Sequence, residues 1–134
     1  MQGQPRTMQE NPYYDNLIED IQRFFMQRID ACQQAGIKLK HIILDPGFGF
    51  GKTLSHNYEL LKRLDEFNLM GCQILAGLSR KSMIGNLLNK PTDERLAGSL
   101  AGALIAMQKG AKIIRVHDVA QTVDVLKVWQ ATEQ

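Results

Sequence analysis

Apolar residues follow two different periods along the chain, and the alternation of the two predicts a mixed α/β fold. Segments in which apolar side chains recur every three or four residues predict amphipathic helices. Between them lie short apolar runs rich in β-branched residues, which are too short for helices and predict buried strands. The predicted order is one helix followed by three strand–helix units.

Capping residues and glycines predict where the helices begin and end. Asn11-Pro12 is a good start for the first helix, because asparagine caps well and proline suits the first helical position, and Gly36 ends it. Ser55 is the predicted cap of the second helix, and Pro91-Thr92-Asp93 is the predicted start of the third long helix, which Gly110 ends. Asp118 and Gln121 resemble a capping box at the start of the last helix. The predicted inward-facing residues are Leu17, Ile18, Ile21, Phe24, Phe25 and Ile29, then Leu60, Leu61, Leu64 and Phe67, then Met83, Ile84, Leu87 and Leu88, then Leu96, Leu100, Ala103, Leu104 and Met107, and finally Val119, Val123, Leu126 and Trp129.

The three predicted strands lie at about residues 41–45, at Gln73–Gly77 and at Lys112–His117. Each strand–helix unit is roughly 35 residues long, which is close to one unit of an eight-fold β/α barrel. Strict alternation of strands and helices predicts a parallel sheet with helices packed against it. A complete barrel needs about 250 residues. The 134 residues therefore predict the C-terminal half of a TIM (β/α)8 barrel, with three parallel strands and four main helices in a single partial domain over residues 1–134.

Composition narrows the functional classes. The net charge of +2 comes without a basic run, so no nucleic-acid partner is expected. No apolar run approaches the roughly 18 residues of a membrane helix, and the N-terminus has no signal-peptide pattern. Cys32 and Cys72 lack the spacing of a disulfide framework, which favours a cytoplasmic location.

Charged side chains stand at the ends of all three predicted strands. Asp45 follows the first strand and opens a glycine-rich turn, Lys81 follows the second strand, and Arg115 and His117 end the third. The C-terminal ends of parallel strands lie at one rim of a barrel, where ligands bind. One acceptor and three donors or cations suit a ligand with a donor-rich edge at one end and an anion at the other.

Each of these residues also has a purely structural interpretation. Asp45 could cap the turn that it opens, and Lys81 beside Arg80 could belong to a solvated basic turn. Arg115 and His117 alternate along one strand, so both point to one face, and that face could be solvent. Charge at three successive strand ends nevertheless favours a functional rim.

Two nucleotide-binding devices are excluded by spacing. Gly51-Lys52-Thr53 resembles the end of a P-loop, but the position five residues before Gly51 holds Pro46 and not glycine. The dinucleotide fingerprint fails because its third glycine falls one position early. No cluster of histidine, cysteine, aspartate or glutamate has metal-ligand spacing, so no metal ligand is expected in this chain.

Three motifs together resemble the last three strand motifs of the dihydropteroate synthases, the folate-pathway enzymes that sulfonamides block. They are Leu44–Lys52 (LDPGFGFGK), Gly77–Ser82 (GLSRKS) and Ile114–Asp118 (IRVHD), and the resemblance is to the enterobacterial type. The resemblance implies a transferase that joins p-aminobenzoate to a dihydropterin carrying a CH₂–pyrophosphate and releases pyrophosphate. The motif pair in the last two strands resembles this family more than a methyltetrahydrofolate methyltransferase.

The resemblance also implies a role for individual residues. Asp45 would bind the 2-amino-pyrimidinone edge of the pterin, Lys81 would hydrogen-bond the ring, and Gly77 would let the ring come close. Arg115 would stack on the pterin and hold the pyrophosphate together with His117. The implied catalytic residues are Lys81, Arg115 and His117, and the implied substrate-binding residues are Asp45, Phe48, Phe50, Gly77, Ser79, Lys81, Ser82, Arg115 and His117.

The same resemblance sets expectations for cofactor and partners. It implies Mg²⁺, with the family's metal ligand in N-terminal strands that this chain lacks. It also implies a homo-oligomer, because the family uses its late helices in a homodimer. An open half-barrel exposes two sheet edges, which favours pairing with an N-terminal half. The alternative function is a non-catalytic half-barrel that keeps a partial pterin- and anion-binding rim or serves as an assembly partner.

Overall fold

Three short parallel strands form the centre of the fold. The computed structural model describes residues 16–49 and 51–134. Strands β1 (Ile43–Leu44), β2 (Gln73–Ala76) and β3 (Ile113–Ile114) form one sheet in the order β1-β2-β3, and both pairs are parallel. The predicted parallel sheet is confirmed, with β1 and β3 as its two edges.

Helices alternate with the strands throughout the described residues. The α-helices are α1 (Leu17–Gln34), α2 (Leu54–Lys62), α3 (Ser82–Leu88), α4 (Leu96–Gln108) and α5 (Val119–Thr132), and 3₁₀ segments lie at Leu39–His41, Leu64–Met70 and Thr92–Glu94. Within this part of the chain, no helix is both long enough and apolar enough to cross a membrane. Four longer helices and the short α3 accompany the three strands, as the sequence predicts.

The core lies between the sheet and the helices α1 to α4. Its largest fully buried side chains are Phe67, Ile18, Leu60, Leu64, Ile74 and Met83. Phe25 and Phe67 meet edge to face with ring centroids 5.6 Å apart, which joins α1 to the 3₁₀ segment after α2. Residues predicted to face inward thus supply most of this core.

Two helix ends follow the glycines that the sequence marks. After α1, Gly36 has a φ of +91°, its N–H donates to Gln33 O, and the Ile37 N–H donates to Cys32 O. Gly110 after α4 repeats this arrangement with a φ of +99°. Both are Schellman caps, in which glycine avoids the cost that a Cβ carries in the left-handed region.

The predicted helix starts fare less well. Asn11-Pro12 lies outside the described residues, and α1 has Asn16 as its N-cap, with the side chain accepting from Glu19 N–H. Ser55 is wrong as the cap of α2, because Thr53 Oγ1 accepts the His56 N–H at 3.0 Å. Pro91 precedes a 3₁₀ turn at Thr92–Glu94, and α4 begins only at Leu96.

Several predicted inward positions are wrong. Phe24 is 57% exposed, because it lies about 100° around α1 from Phe25 and both cannot face the core. Leu87 at the end of α3 is 56% exposed. Val119 and Val123 are exposed because their side of α5 lines an open groove of about 570 Å³ beside the edge strand β3. The remaining exposed members of the predicted set are Leu88 and Leu96.

Small residues bring α4 close to its neighbours. A Cβ at Gly102 would overlap the Cδ1 atom of buried Leu78, and one at Gly98 would press on Ile84. Leu78 lies in the loop after β2, so the missing side chain at Gly102 lets this helix support the loop directly. Gly98 and Gly102 therefore allow α4 to pack closely against its neighbours.

Gly102→Ala is expected to lower the free energy of unfolding by about 0–2 kcal/mol. Alanine improves helix propensity by about 1 kcal/mol, but overpacking against Leu78 costs about 1–3 kcal/mol. Urea unfolding measures the difference. Gln108→Ala introduces the same residue at an exposed position of α4 and is expected to be neutral; a stabilised Gly102→Ala chain would contradict the packing argument.

Candidate active site

The loops after the three strands meet at one edge of the sheet. Asp45 follows β1 directly, Gly77 follows β2 and Arg115 follows β3. Asp45 Oδ2 lies 3.6 Å from Arg115 Nη1, so the first and third loops touch across the second. The structure therefore brings Asp45, Lys81, Arg115 and His117 to a common rim, because parallel strands end on the same side.

Asp45 has two contacts of different kinds. Its Oδ1 accepts the Gly47 N–H at 3.0 Å, which is an Asx turn. Its Oδ2 faces Arg115, and the side chain is 40% exposed. The structural interpretation and the ligand-binding interpretation of Asp45 are therefore compatible, since one carboxylate oxygen holds the turn and the other stays open on the rim.

Two lysines are held by successive carbonyls of the glycine-rich turn. Lys52 Nζ donates to Gly47 O at 2.6 Å, and Lys81 Nζ donates to Phe48 O at 2.9 Å. Burial lowers the pKa of Lys52, the Lys81 charge lowers it further, and Asp45 partly counteracts both. Burial also lowers the pKa of Lys81, again with a cation, Arg115, adding to the effect and Asp45 opposing it. This crowd of cations around one carboxylate attracts an anion.

Arg115 lies across the main chain of Gly77. A Cβ built on Gly77 would lie 2.5 Å from Arg115 Nη2 and 2.8 Å from its Cζ. Any side chain at Gly77 would displace the Arg115 guanidinium. The Arg115 side chain is 59% exposed. The absence of a side chain at Gly77 therefore lets the Arg115 guanidinium pack against the main chain.

Ser79 and His117 join the second loop to the third. Ser79 Oγ lies 3.0 Å from His117 Nδ1, and the same oxygen accepts the His117 N–H at 3.3 Å. Ser79 is buried, at 8% exposure, whereas His117 is exposed. The position of the imidazole is therefore set from behind by a serine of the neighbouring loop.

Arg80 ties its loop to three other parts of the chain. Its N–H donates to Ser99 Oγ at 2.9 Å, and its carbonyl accepts from Arg95 Nη1 at 2.7 Å, both on or next to α4. Its guanidinium donates to both oxygens of Asp118, at 2.7 and 3.3 Å. Arg80 has a φ of +59°, a strained value for a side chain of this size, and these bonds offset the strain.

The Arg80–Asp118 pair overturns two expectations. Arg80 is not part of a solvated basic turn, because its guanidinium is engaged by Asp118. The capping box expected at Asp118 and Gln121 is wrong, because the Asp118 side chain makes no cap bond to α5. The hydrogen bonds from Arg80 hold the pKa of Asp118 below its usual range, and the Arg80 and His117 charges add to this.

Sequence reasoning missed Lys52 and Asn57 as site residues. Asn57 is 3% exposed, accepts the Gly49 N–H at 2.7 Å and donates to Thr53 O at 3.0 Å, so α2 holds the glycine-rich turn. A signal was present, because Asn57 is a polar residue at the helical spacing of the buried stripe that Leu60 and Leu61 continue.

The other predicted substrate-binding residues have mixed positions. Phe48 is 3% exposed and its ring belongs to the core, so only its carbonyl serves the rim. Phe50 lies outside the described residues. Ser82 is exposed and begins α3 beside Lys81. Substrate contacts by these residues remain predictions.

The described residues offer no metal centre of their own. Among residues 16–49 and 51–134, no group of three or more His, Cys, Asp and Glu side chains could hold a metal ion. The donor set therefore does not fit Mg²⁺ by itself.

Three parallel strands with a charged rim at their C-terminal ends define half of a (β/α)8-barrel enzyme. Comparison with known proteins is consistent with this class. The family profile described as pterin binding enzyme matches residues 1–117. The chain belongs to the pterin-binding enzyme family.

Within this family, the chain is most clearly compared with individual relatives. The chain is 64% identical over 132 residues to the dihydropteroate synthase of Haemophilus influenzae, covering 98% of this chain and 48% of that protein. It is 57% identical to the Escherichia coli K12 enzyme, with 98% and 47% coverage. The solved structure of Yersinia pestis dihydropteroate synthase with a sulfonamide drug superposes with a TM-score of 0.94 at 53% identity, over 99% of this chain and 48% of that one. The chain thus spans about half the length of the relatives it matches, and the predicted half-barrel is confirmed.

Asp118→Asn is expected to lower the urea midpoint near neutral pH and to have little effect in acid. Because the folded pKa of Asp118 is below its usual value of about 3.9, its pairing with Arg80 stabilises the fold above that value. This stabilisation is lost as the pH falls through the folded pKa, where the carboxyl becomes protonated. Urea unfolding of the wild type and of Asp118→Asn, each at neutral pH and at a pH below the folded pKa of Asp118, measures the difference in midpoint.

Asp93→Asn removes an exposed carboxylate from the Thr92–Glu94 turn and serves as the matched control. Equal neutral-pH midpoints for Asp118→Asn and wild type would show that the ion pair does not stabilise the fold.

Proposed function

We propose that this chain forms half of a dihydropteroate synthase active site. The reaction joins p-aminobenzoate to 6-hydroxymethyl-7,8-dihydropterin pyrophosphate and gives 7,8-dihydropteroate and pyrophosphate in folate biosynthesis. The observation that carries the proposal is the rim itself, where an exposed carboxylate, Asp45, lies within 3.6 Å of Arg115 and beside Lys81. In this proposal residues 1–134 are one partial domain of the barrel.

The pterin would bind between the first and second loops. An ionised carboxylate such as Asp45 accepts two hydrogen bonds from an amidine-like edge, which is the edge that a 2-amino-pyrimidinone presents. On binding, the pterin would replace Arg115 as the partner of Asp45 Oδ2. The Arg115 guanidinium would then stack on the flat pterin ring. Lys81, held at the rim by Phe48 O, would donate to the ring.

The positive side chains would stabilise the leaving group. In the reaction the bond between the methylene carbon and the pyrophosphate oxygen breaks, and its electron pair leaves with the pyrophosphate. The arylamine nitrogen then forms the new C–N bond, and its proton passes to water. Arg115 would hold the pyrophosphate as a cation and His117 as a hydrogen-bond donor, and preorganised groups of this kind lower the barrier to the separation of charge. The turn at Lys81 and Ser82, with Phe50, would shape the p-aminobenzoate pocket.

The cofactor and location are proposals of the same kind. Mg²⁺ would be bound through the other half of the barrel, because the described residues lack a ligand set, and no step above depends on it. A cytoplasmic location is supported by Cys32 and Cys72, which are both free thiols.

The open sides of the sheet favour association with another chain or segment. Strands β1 and β3 are both edges, and Ile43 on β1 is 51% exposed. Unpaired edges of this kind recruit further strands. We propose either pairing with an N-terminal half-barrel or a homo-oligomer, and this feature also supports the second candidate function, a non-catalytic half-barrel that acts as an assembly partner.

Asp45→Asn is expected to weaken binding of the dihydropterin pyrophosphate at least tenfold, because the amide keeps the shape but accepts fewer hydrogen bonds and carries no charge. Isothermal titration calorimetry with the intact chain measures the affinity. Asp65→Asn, an exposed aspartate of the 3₁₀ segment after α2, is the matched control. A folded wild-type chain that binds no pterin would sink the proposal for this polypeptide.

Mixing the chain with a separately expressed N-terminal half of a relative is expected to restore synthase activity, because the two sheet edges would then be paired. Product formation is the readout, and the same mixture with Asp45→Asn is the control. A complex without turnover would favour the assembly-partner function.

A further inference from the structure

We infer that Ser79 is a positioning residue that selects the tautomer of His117, and that it does not itself contact substrate. The inference rests on the proposed anion-binding role of His117. Its starting observation is that one oxygen, Ser79 Oγ, contacts His117 twice, at the ring Nδ1 (3.0 Å) and at the backbone N–H (3.3 Å). In the described part of the chain, both hydrogen-bond contacts of this oxygen are with His117.

The backbone contact fixes the direction of one bond. An amide N–H can only donate, so Ser79 Oγ accepts from His117 N. A hydroxyl has one hydrogen and two acceptor lone pairs, and its hydrogen still needs an acceptor. Ser79 is 8% exposed, so a hydroxyl hydrogen pointing away from the imidazole would be buried without a partner, which is unfavourable.

The hydroxyl hydrogen therefore goes to Nδ1 of His117. A neutral imidazole carries one proton, and when Nδ1 accepts, the proton is on Nε2. His117 is exposed on the rim, so Nε2–H is the donor that the ring offers to a ligand. The opposite tautomer would present an Nε2 lone pair, which repels an anionic oxygen.

The surrounding loop makes this arrangement rigid. Ser79 is followed by Arg80, whose N–H donates to Ser99 on α4 and whose carbonyl accepts from Arg95, the N-cap of that helix. The Arg80 guanidinium also donates to Asp118, the residue after His117. The Arg80–Asp118 ion pair thus fixes the loop after β2 relative to the loop after β3, one residue beyond the contact between Ser79 and His117. A hydroxyl so placed sets ring orientation as well as tautomer.

This changes the role assigned to Ser79 by family resemblance. The hydrogen of its hydroxyl and one of the two lone pairs are used by His117, and its side chain is buried. Ser79 therefore acts through His117, while Asp45 and Lys81 bind the pterin independently of it. Loss of the hydroxyl should weaken anion binding and leave the pterin contacts intact.

The test measures the tautomer directly by ¹⁵N NMR of histidine-labelled chain at about pH 8.5, above the ordinary titration range of imidazole. A His117→Gln variant identifies the signal among the three histidines. Wild-type His117 is expected to show a protonated Nε2 and an unprotonated Nδ1. In Ser79→Ala the two tautomers are expected to mix, whereas Ser79→Thr, which keeps a hydroxyl, retains the wild-type pattern.

Binding provides the second readout, with inorganic pyrophosphate and a pterin without pyrophosphate as the probes in calorimetry. Ser79→Ala is expected to weaken pyrophosphate binding about two- to tenfold and to leave pterin binding unchanged. Ser55→Ala, which removes an exposed hydroxyl from α2, is the matched control. Unchanged tautomer and pyrophosphate affinity in a folded Ser79→Ala chain would overturn the inference.

The tautomer measurement separates this inference from the proposed function. A wild-type His117 that carries its proton on Nδ1 overturns the inference even if Ser79→Ala does not fold. A wild-type chain that shows the expected tautomer but binds neither probe supports the role of Ser79 and contradicts the proposed substrate site.

Discussion

Parallel pairing of three very short strands is the constraint on which the site depends. Only two residue pairs join β1 to β2 and two join β2 to β3, with Leu44 opposite Ile74 and Ala76 opposite Ile114. Because the strands run the same way, their following loops end at one edge, and Asp45 reaches Arg115 there. Antiparallel pairing of any strand would send its charged residues to the opposite end of the sheet.

Because the strands are short, few backbone hydrogen bonds fix the positions of the loops that follow them. Side-chain hydrogen bonds between the loops fix these positions instead. Lys81 holds the first loop through Phe48 O, Ser79 holds His117 in the third, and Arg80 holds Asp118. The same loops bury Lys52 and Lys81 and place further cations beside them, so burial first and the neighbouring positive charge second lower the pKa of each lysine. Self-repulsion of this kind is typical of a site built for an anion, since a bound anion relieves it.

Sequence reasoning succeeded where the determinant was local. Gly36 and Gly110 end their helices because only the left-handed conformation of glycine closes those caps without strain. It failed where several residues compete for one role. Thr53 and Ser55 are both acceptable caps, and only the path of the chain into α2 favours Thr53. Phe24 and Phe25 are equally apolar, and only the packing of Phe25 on Phe67 decides which one is buried.

The sequence by itself determined the alternation of strands and helices, the half-barrel class, and the charged residues at the three strand ends. Periodicity, glycine caps and motif spacing are local properties, so they can be read without a fold. Only the tertiary structure decided the partners of those residues. Arg80 lies beside Lys81 in sequence but pairs with Asp118, and Ser79 contacts His117. Each of these contacts joins residues 38 positions apart in the sequence. Contacts of that range depend on how the strands pair, which no local pattern specifies.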